Sequence, residues 1–232
     1  MYSRTLRRSP GSRNMPLELS TYKENKSKLM HSTARPLFQM IGKISALANR
    51  RKDRVDEISE VWFRQSAARI NDELRAWRPE LQPESTPTMS SNLRGQKDLL
   101  NAALAIQWAS ILRLHQVVEG YNRFDSCVAE CTSKILDYVS KIRFGSPAEN
   151  ILIFPLVMAA SGCVNDEDRI EIRQRWVVME RTIGFDNIYR AREMVEAVWK
   201  AIDGGSHNKS HDGGHVNWAR IRFEQFPGVV LL

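Results

Sequence analysis

The chain has 232 residues, of which 42% are hydrophobic, enough to bury a sizeable core and to exclude disorder along its whole length. Its net charge of +7 comes from 34 basic and 27 acidic residues interspersed over most of the sequence, so charge alone does not indicate nucleic-acid binding. The longest apolar stretch, residues 151–163, is well short of the roughly 20 residues that a membrane span requires, which favours a buried core helix.

The first residues are basic and polar. Residues 1–31 contain Arg4, Arg7, Arg8 and Arg13 among Ser, Pro and Gly, and they lack the apolar core of a signal peptide. They cannot bury enough apolar surface to offset the entropy of ordering, so we predict a flexible basic arm. Its arginines have three interpretations: a solvated tail, a nuclear import signal, or weak and salt-sensitive contacts with DNA phosphates. The odd count of three cysteines indicates a reducing compartment.

Residues 32–232 have the apolar periodicity of a helical domain. A stripe over residues 36–48 begins at a proline, and a run of prolines among Ser and Thr predicts a linker over residues 78–92. The segment 92–118 is apolar around most of its circumference, which predicts a central helix inside the core. Between the first stripe and the linker lies a second helix, whose predicted stripe is Val55, Ile58, Trp62, Ile70, Leu74 and Trp77.

Helix start and stop signals divide the second half of the domain. A stripe over residues 124–142 stops at Gly145, and the S-P-x-E sequence of residues 146–149 predicts a capping box with proline at the first helical position. Pro155 has no N–H to donate to the carbonyl of Ile151, so we expect a kink in this apolar helix.

Three further helices are predicted before the C-terminus. Asn165 caps the first, Gly184 ends it, Asp186 or Asn187 caps the second, and a short third helix spans about residues 216–226. The predicted stripe of the first is Ile170, Arg173, Trp176, Val177, Glu180 and Ile183. No segment alternates like a strand, so the sequence predicts an all-α, irregular multi-helix domain of about seven or eight helices with a kinked central apolar helix.

Two groups of residues have a spacing that metal ligands can use. His207, His211 and His215 are four apart, but glycines bracket them and disfavour a helix that would stack their imidazoles, so a solvated loop is favoured. Cys127 and Cys131 are four apart on a predicted helix, where core packing is favoured over zinc ligation. We therefore predict no metal site and no cofactor in this chain.

No catalytic constellation is recognisable. The sequence has no G-x-S-x-G elbow, no cysteine with a nearby histidine and no phosphate-binding glycine loop. Asp166 and Asp168 are better explained as helix-start residues than as an acid and base pair. We predict no catalytic or cofactor-binding residues and no enzyme activity. An all-α enzyme or small-molecule binder, with a pocket between the core helices, is the least favoured alternative.

Several segments occur in the order seen in a known family. These segments are the apolar Phe-Pro run of residues 150–163, Asp166 with Asp168-Arg169, Met179-Glu180-Arg181 with Gly184-Phe185-x-Asn187, Val198-Trp199, Trp218, and upstream the helices at residues 109–115 and 37–48. Together they resemble the C-terminal portion of the fungal-specific transcription factor domain of zinc-cluster regulators, over roughly residues 35–232.

This resemblance implies a helical regulatory domain whose partners are other proteins or intramolecular contacts. In such regulators a six-cysteine zinc cluster binds DNA; this chain has three cysteines without that spacing, so zinc is implied only for a cluster outside it. The resemblance carries no functional residue over to this sequence. We therefore expect a nuclear transcriptional regulator of RNA polymerase II genes without its own zinc cluster. The alternative is a helical interaction module that works without DNA. A small-molecule effector is a further candidate partner, no membrane is expected, and the cytoplasm is the alternative location.

Overall fold

The computed structural model describes residues 34–79, 90–205 and 215–231. These ranges are mostly helical and contain no strand; a single bridge pairs Asn122 with His215. The all-α prediction is confirmed. The helices are α1 (34–49), α2 (Glu57–Ala76), α3 (Ser90–Val118), α4 (Ser126–Ser140), α5 (Ile153–Gly162), α6 (Asp166–Thr182), α7 (Asp186–Gly205) and α8 (Trp218–Gln225), with 3-10 turns at Arg50–Asp53 and Pro147–Ile151.

One hydrophobic core joins all eight of these helices. The 29 residues of α3 form its axis, about 43 Å long, and α3 contacts α2, α4 and α5. Residues on several sides of α3 are buried, among them Ala103, Ile106, Ala109 and Leu112. The predicted central helix is therefore confirmed, because a helix that is apolar around most of its circumference is stable only when other helices surround it.

The predicted kink in the apolar segment is a complete break. A 3-10 turn spans Pro147–Ile151, Leu152 separates it from α5, and α5 begins at Ile153. Pro155 consequently lies in the first turn of α5. The N–H groups of a first turn have no acceptor within the helix, so the lack of an N–H at proline costs the helix no hydrogen bond. The proline thus fixes where the second segment starts, and nearly all of α5 is buried behind it.

Two predicted stripes are partly wrong. In α2 the buried residues are Phe63, Ala67, Ile70 and Leu74, whereas Val55, Ile58 and Trp62 are exposed. In α6 the buried residues are Arg169, Ile172, Arg175, Trp176 and Met179, and Ile170 is exposed. Both helices have enough large apolar residues outside the inner face for a hydropathy pattern to select the wrong side.

Most helix boundaries follow the predicted signals, with two differences. The predicted cap of α7 is wrong, because α7 already begins at Asp186 and the Asn187 side chain bonds the backbone of Val230 instead. Gly145 and Gly184 both have positive φ, +74° and +70°, at the turns that follow α4 and α6. Ser146 caps the 3-10 turn by accepting from the N–H of Ala148. Glu149 does not close the predicted capping box: its carboxylate accepts from the N–H of Gly145, one residue before the cap.

The predicted arm at residues 1–31 lies outside the described residues. Most of the predicted linker at 78–92 also lies outside them, and residues 90–92 already belong to α3. None of the helices that the structure describes combines the length and the apolar character needed to cross a membrane.

Candidate functional site

The histidines and cysteines do not converge on a metal site in the part of the chain that is described. His207 and His211 lie outside that part, and His215 is exposed. Within the described ranges no group of three or more His, Cys, Asp or Glu side chains is placed to hold a metal ion.

The thiols lie in the core or at its edge. Cys131 and Cys163 are buried, and the Cys163 thiol donates to the carbonyl of Ala159 at 3.2 Å. Burial raises the pKa of Cys163 to about 12 and also raises the pKa of Cys131 above its usual range. Cys127 is half-buried, and burial raises the pKa of its thiol as well. Buried protonated thiols behave as small apolar side chains, which fits a packing role.

Asp166 and Asp168 lie in the first turn of α6. Asn165 caps that helix by accepting from the N–H of Asp168 at 2.8 Å, and Asp166 lies 4.0 Å from the guanidinium of Arg169. Carboxylates at a helix N-terminus interact favourably with the helix dipole. This placement supports a structural role for both residues.

The sequence reasoning missed a buried ion pair between Glu149 and Arg175. The Glu149 side chain is 0% exposed and accepts from the Arg175 guanidinium at 2.8 Å. The same guanidinium donates to the carbonyl of Val139, in the last turn of α4, and to the carbonyl of Ile142, just beyond the end of that helix. The Phe144 ring covers it at 4.2 Å. This cluster ties α6 to the turn that follows α4.

A second buried acid, Asp98 on α3, holds the same turn from the other side. Its carboxylate accepts from Arg143 at 2.7 Å and from the Ser146 hydroxyl at 2.8 Å. The backbone around Gly145 is thus fixed by both Asp98 and Glu149. From the sequence, Asp98 and Glu149 would be taken for surface carboxylates. Each is at least 26 residues from its arginine partner along the chain, so no local pattern indicates the pairing.

Polar side chains also anchor the C-terminal helix. The Trp218 indole N–H of α8 donates to the buried Gln116 side chain on α3 at 2.8 Å, and Gln116 donates to Ser161 on α5 at 3.0 Å. The guanidinium of Arg113 lies over the Trp218 ring at 4.8 Å. The sequence predicted Trp218 as a matched residue but gave no partner for it.

A shallow groove of about 430 Å³ lies between α1 and α2. Its lining residues are Pro36, Gln39, Met40, Lys43, Glu73, Ala76 and Trp77. Lys43 and Glu73 form an ion pair across it. The groove is open to solvent at the surface and differs from the pocket between core helices that a buried small-molecule site would need.

The outer face of α2 carries the largest group of exposed apolar side chains on a single described helix. Val55 precedes the helix and is 85% exposed, Ile58 is 81% exposed, and Val61 and Trp62 are about half exposed. Arg50 stacks over the Trp62 ring at 5.1 Å. A cluster of this kind on the surface of a water-exposed helix is typical of an interaction site.

Comparison with known protein families decides the assignment. The family described as the fungal specific transcription factor domain matches residues 4–227, nearly the full length of the chain. The chain belongs to this family. No curated protein and no solved structure matches it.

The fungal specific transcription factor domain therefore includes every described helix from α1 to α8. The match begins further toward the N-terminus than residue 35, where the resemblance in the sequence begins. This family is one of transcription regulators, and the protein is a member of it. The buried ion pairs and the Trp218 anchor are then elements of the regulatory domain's architecture, and the outer face of α2 is its candidate contact surface.

Proposed function

We propose that this protein is a nuclear regulator of RNA polymerase II transcription of the fungal zinc-cluster type, and that it acts through protein contacts of its helical domain. The observation that carries the proposal is the family match over residues 4–227. The all-helical core, which joins helices α1 to α8, fits the helical regulatory domain of such a protein.

DNA recognition is assigned to residues outside this sequence or to a partner. The three cysteines lie in or beside the helical core, and two of them are fully buried, so they have no place in a six-cysteine zinc cluster. The direct DNA contact proposed for this chain itself is weak and salt-sensitive, from the arginines of residues 1–31 to DNA phosphates. Zinc would be bound only by a six-cysteine cluster that lies outside this sequence.

An interaction module that works without DNA is the second candidate. The exposed apolar face of α2 favours it, because a protein surface of this composition gains free energy by covering those side chains. The two candidates differ in one consequence. A regulator changes transcription when it is brought to a promoter, whereas an interaction module of another process does not.

Fusion of the chain to a heterologous DNA-binding domain tests the proposal. We expect the fusion to raise output from a basal reporter or to lower output from an active one. A matched fusion carrying Leu112→Lys places a charge in the core, where Leu112 is fully buried, and should lose the effect with the fold. A wild-type fusion that is intact, nuclear and silent on both reporters would refute transcriptional regulation. An effect that survives Leu112→Lys would show that the folded domain is not its source.

A further inference from the structure

The densest positive charge of the sequence lies between α1 and α2. Residues 50–54 read Arg-Arg-Lys-Asp-Arg, and no other window of five residues in the sequence contains four basic ones. Elsewhere acidic and basic residues are interspersed, whereas here one acid stands among four bases. A short, dense basic run is typical of a nuclear import signal or of a contact with nucleic acid.

The basic run lies on the surface and contributes nothing to the core. The 3-10 turn Arg50–Asp53 contains no buried residue, and the three basic side chains at its start are exposed. Val55 follows the run and is 85% exposed. The turn connects the end of α1 to Asp56, the N-cap of α2. A binding partner can therefore reach the first three basic side chains without disturbing the helices.

The charges of this run differ in what they do within the fold. Arg54 is engaged, because its guanidinium pairs with Glu60 at 3.2 Å and lies over the Phe63 ring at 4.6 Å. Within the described part of the chain, no acidic side chain forms an ion pair with Arg51 or Lys52. Neighbouring like charges repel each other, so these two side chains do not stabilise the turn. Their charges are available to an acidic partner.

We propose that residues 50–54 form a nuclear import signal, which a soluble import receptor binds through acidic side chains in a groove. The proposal rests on the nuclear function given above and names the partner that would carry the chain into the nucleus. Arg50, Arg51 and Lys52 meet the carboxylates of the receptor, and Arg54 continues to hold the turn against α2.

The turn can open for such a receptor at little cost. A groove that contacts consecutive side chains needs its peptide in an extended form. The hydrogen bonds that hold the turn are exposed, among them the Val55 N–H to the carbonyl of Asp53 at 3.1 Å and the Arg54 Nε to the carbonyl of Arg51 at 3.3 Å. Short 3-10 turns have poor hydrogen-bond geometry, and opening this one exposes no buried apolar side chain.

DNA phosphates are the competing ligand for the same charges, and the neighbouring acids disfavour them. Asp53, Asp56 and Glu57 are all exposed and lie within the run or directly after it. DNA carries one negative charge per about 1.7 Å of its axis, so a phosphate backbone laid on the run would also meet these carboxylates. A protein groove can place its own acids against the basic side chains alone. The charge pattern therefore favours a protein receptor.

An import assay in permeabilised cells tests the proposal with the full chain fused to a fluorescent reporter that is too large to diffuse through nuclear pores. We expect the wild-type fusion to accumulate in nuclei only when cytosol and GTP are added. The double variant Arg51→Ala with Lys52→Ala should fall to the nuclear level of the reporter alone. Its dissociation constant for the purified import receptor should rise at least about 30-fold, because two charge-assisted contacts are lost.

Lys134→Ala with Lys200→Ala is the matched control. Both lysines are exposed, on α4 and α7, and their replacement removes the same charge from other parts of the surface. The control should be imported like the wild type, and both double variants should unfold in urea at the wild-type midpoint.

Three results would overturn the import signal. They are import that persists in Arg51→Ala with Lys52→Ala, equal loss of import in the control, and nuclear accumulation that needs neither cytosol nor GTP and is removed by salt. The last result would assign the run to nucleic acid. The fusion to a heterologous DNA-binding domain that has its own import signal measures transcription independently. A failed import signal is therefore distinguishable from a failure of the proposed function.

Discussion

Removal of the buried carboxylate Glu149 should be among the most damaging single changes in this domain. Glu149 is fully buried and bonds both Arg175 at 2.8 Å and the N–H of Gly145 at 2.9 Å. Glu149→Ala leaves the Arg175 guanidinium, which is 4% exposed, in the core without a counter-charge. Breaking a buried pair from one side costs about 3–5 kcal/mol. Arg175 keeps its bonds to Val139 and Ile142, so we expect the lower part of that range.

Urea unfolding followed by circular dichroism measures this loss as a change in the free energy of unfolding. Glu149→Gln preserves shape and an acceptor for Gly145, and should lose less, about 1–2 kcal/mol. The double replacement Glu149→Leu with Arg175→Met removes both charges and should cost less than the sum of the two single changes. A loss below about 1 kcal/mol in Glu149→Ala would refute the claim that this pair fixes α6 on the turn after α4.

Three further changes probe other parts of the fold. Gly162→Ala should lower the free energy of unfolding by about 1–3 kcal/mol in urea titrations, because the new Cβ would lie 2.2 Å from the Thr132 hydroxyl on α4. Trp218→Phe should cost about 1–3 kcal/mol in the same assay and should loosen α8 in hydrogen exchange, since it leaves buried Gln116 without its donor. Burial raises the pKa of Cys163 to about 12, so its protonated form stabilises the fold below about pH 9 and this contribution is lost as pH rises from 9 toward 12.

Two of these predictions have a matched comparison variant. Gly42→Ala lies in α1 with open space around the new Cβ and should leave stability unchanged or raise it by up to about 1 kcal/mol. Cys163→Ala should flatten the decline in the free energy of unfolding between about pH 8.5 and 10.5. Equal effects of Gly162→Ala and Gly42→Ala, an unaltered α8 in Trp218→Phe, or an equal pH dependence with and without Cys163 would contradict the corresponding interpretation.

The elements most visible in the sequence are those set by local chemistry. The stripe of α1, with Leu37, Ile41, Ile44 and Leu47, is buried as predicted, because one apolar side with polar residues elsewhere leaves a single orientation. In α7 the buried residues recur at the same three- and four-residue spacing and form one inner face: Ile188, Ala191, Met194, Val195, Val198, Trp199 and Ile202. Positive φ at glycine and the missing N–H of proline act within a few residues, so the turn at Gly184 and a disruption near Pro155 were also predictable, although the sequence indicated a kink and the structure has a break before α5.

The inner faces of α2 and α6 were not predictable from pattern alone. In α6 the core accepts Arg175 because Glu149 meets it from 26 residues earlier in the chain, and no local rule indicates that pairing. In α2 the large apolar residues Ile58 and Trp62 point outward. A method that assigns apolar residues to the core will misplace them, and such misplacement is expected at a contact surface.

The most direct test of transcriptional regulation is rapid degradation of the endogenous protein followed by sequencing of nascent transcripts. A regulator of RNA polymerase II genes predicts that a defined set of genes changes its nascent transcription promptly after the protein is lost, and that re-expression of the wild-type chain, but not of Leu112→Lys, restores it. Unchanged nascent transcription after complete loss of the protein would contradict the proposed function.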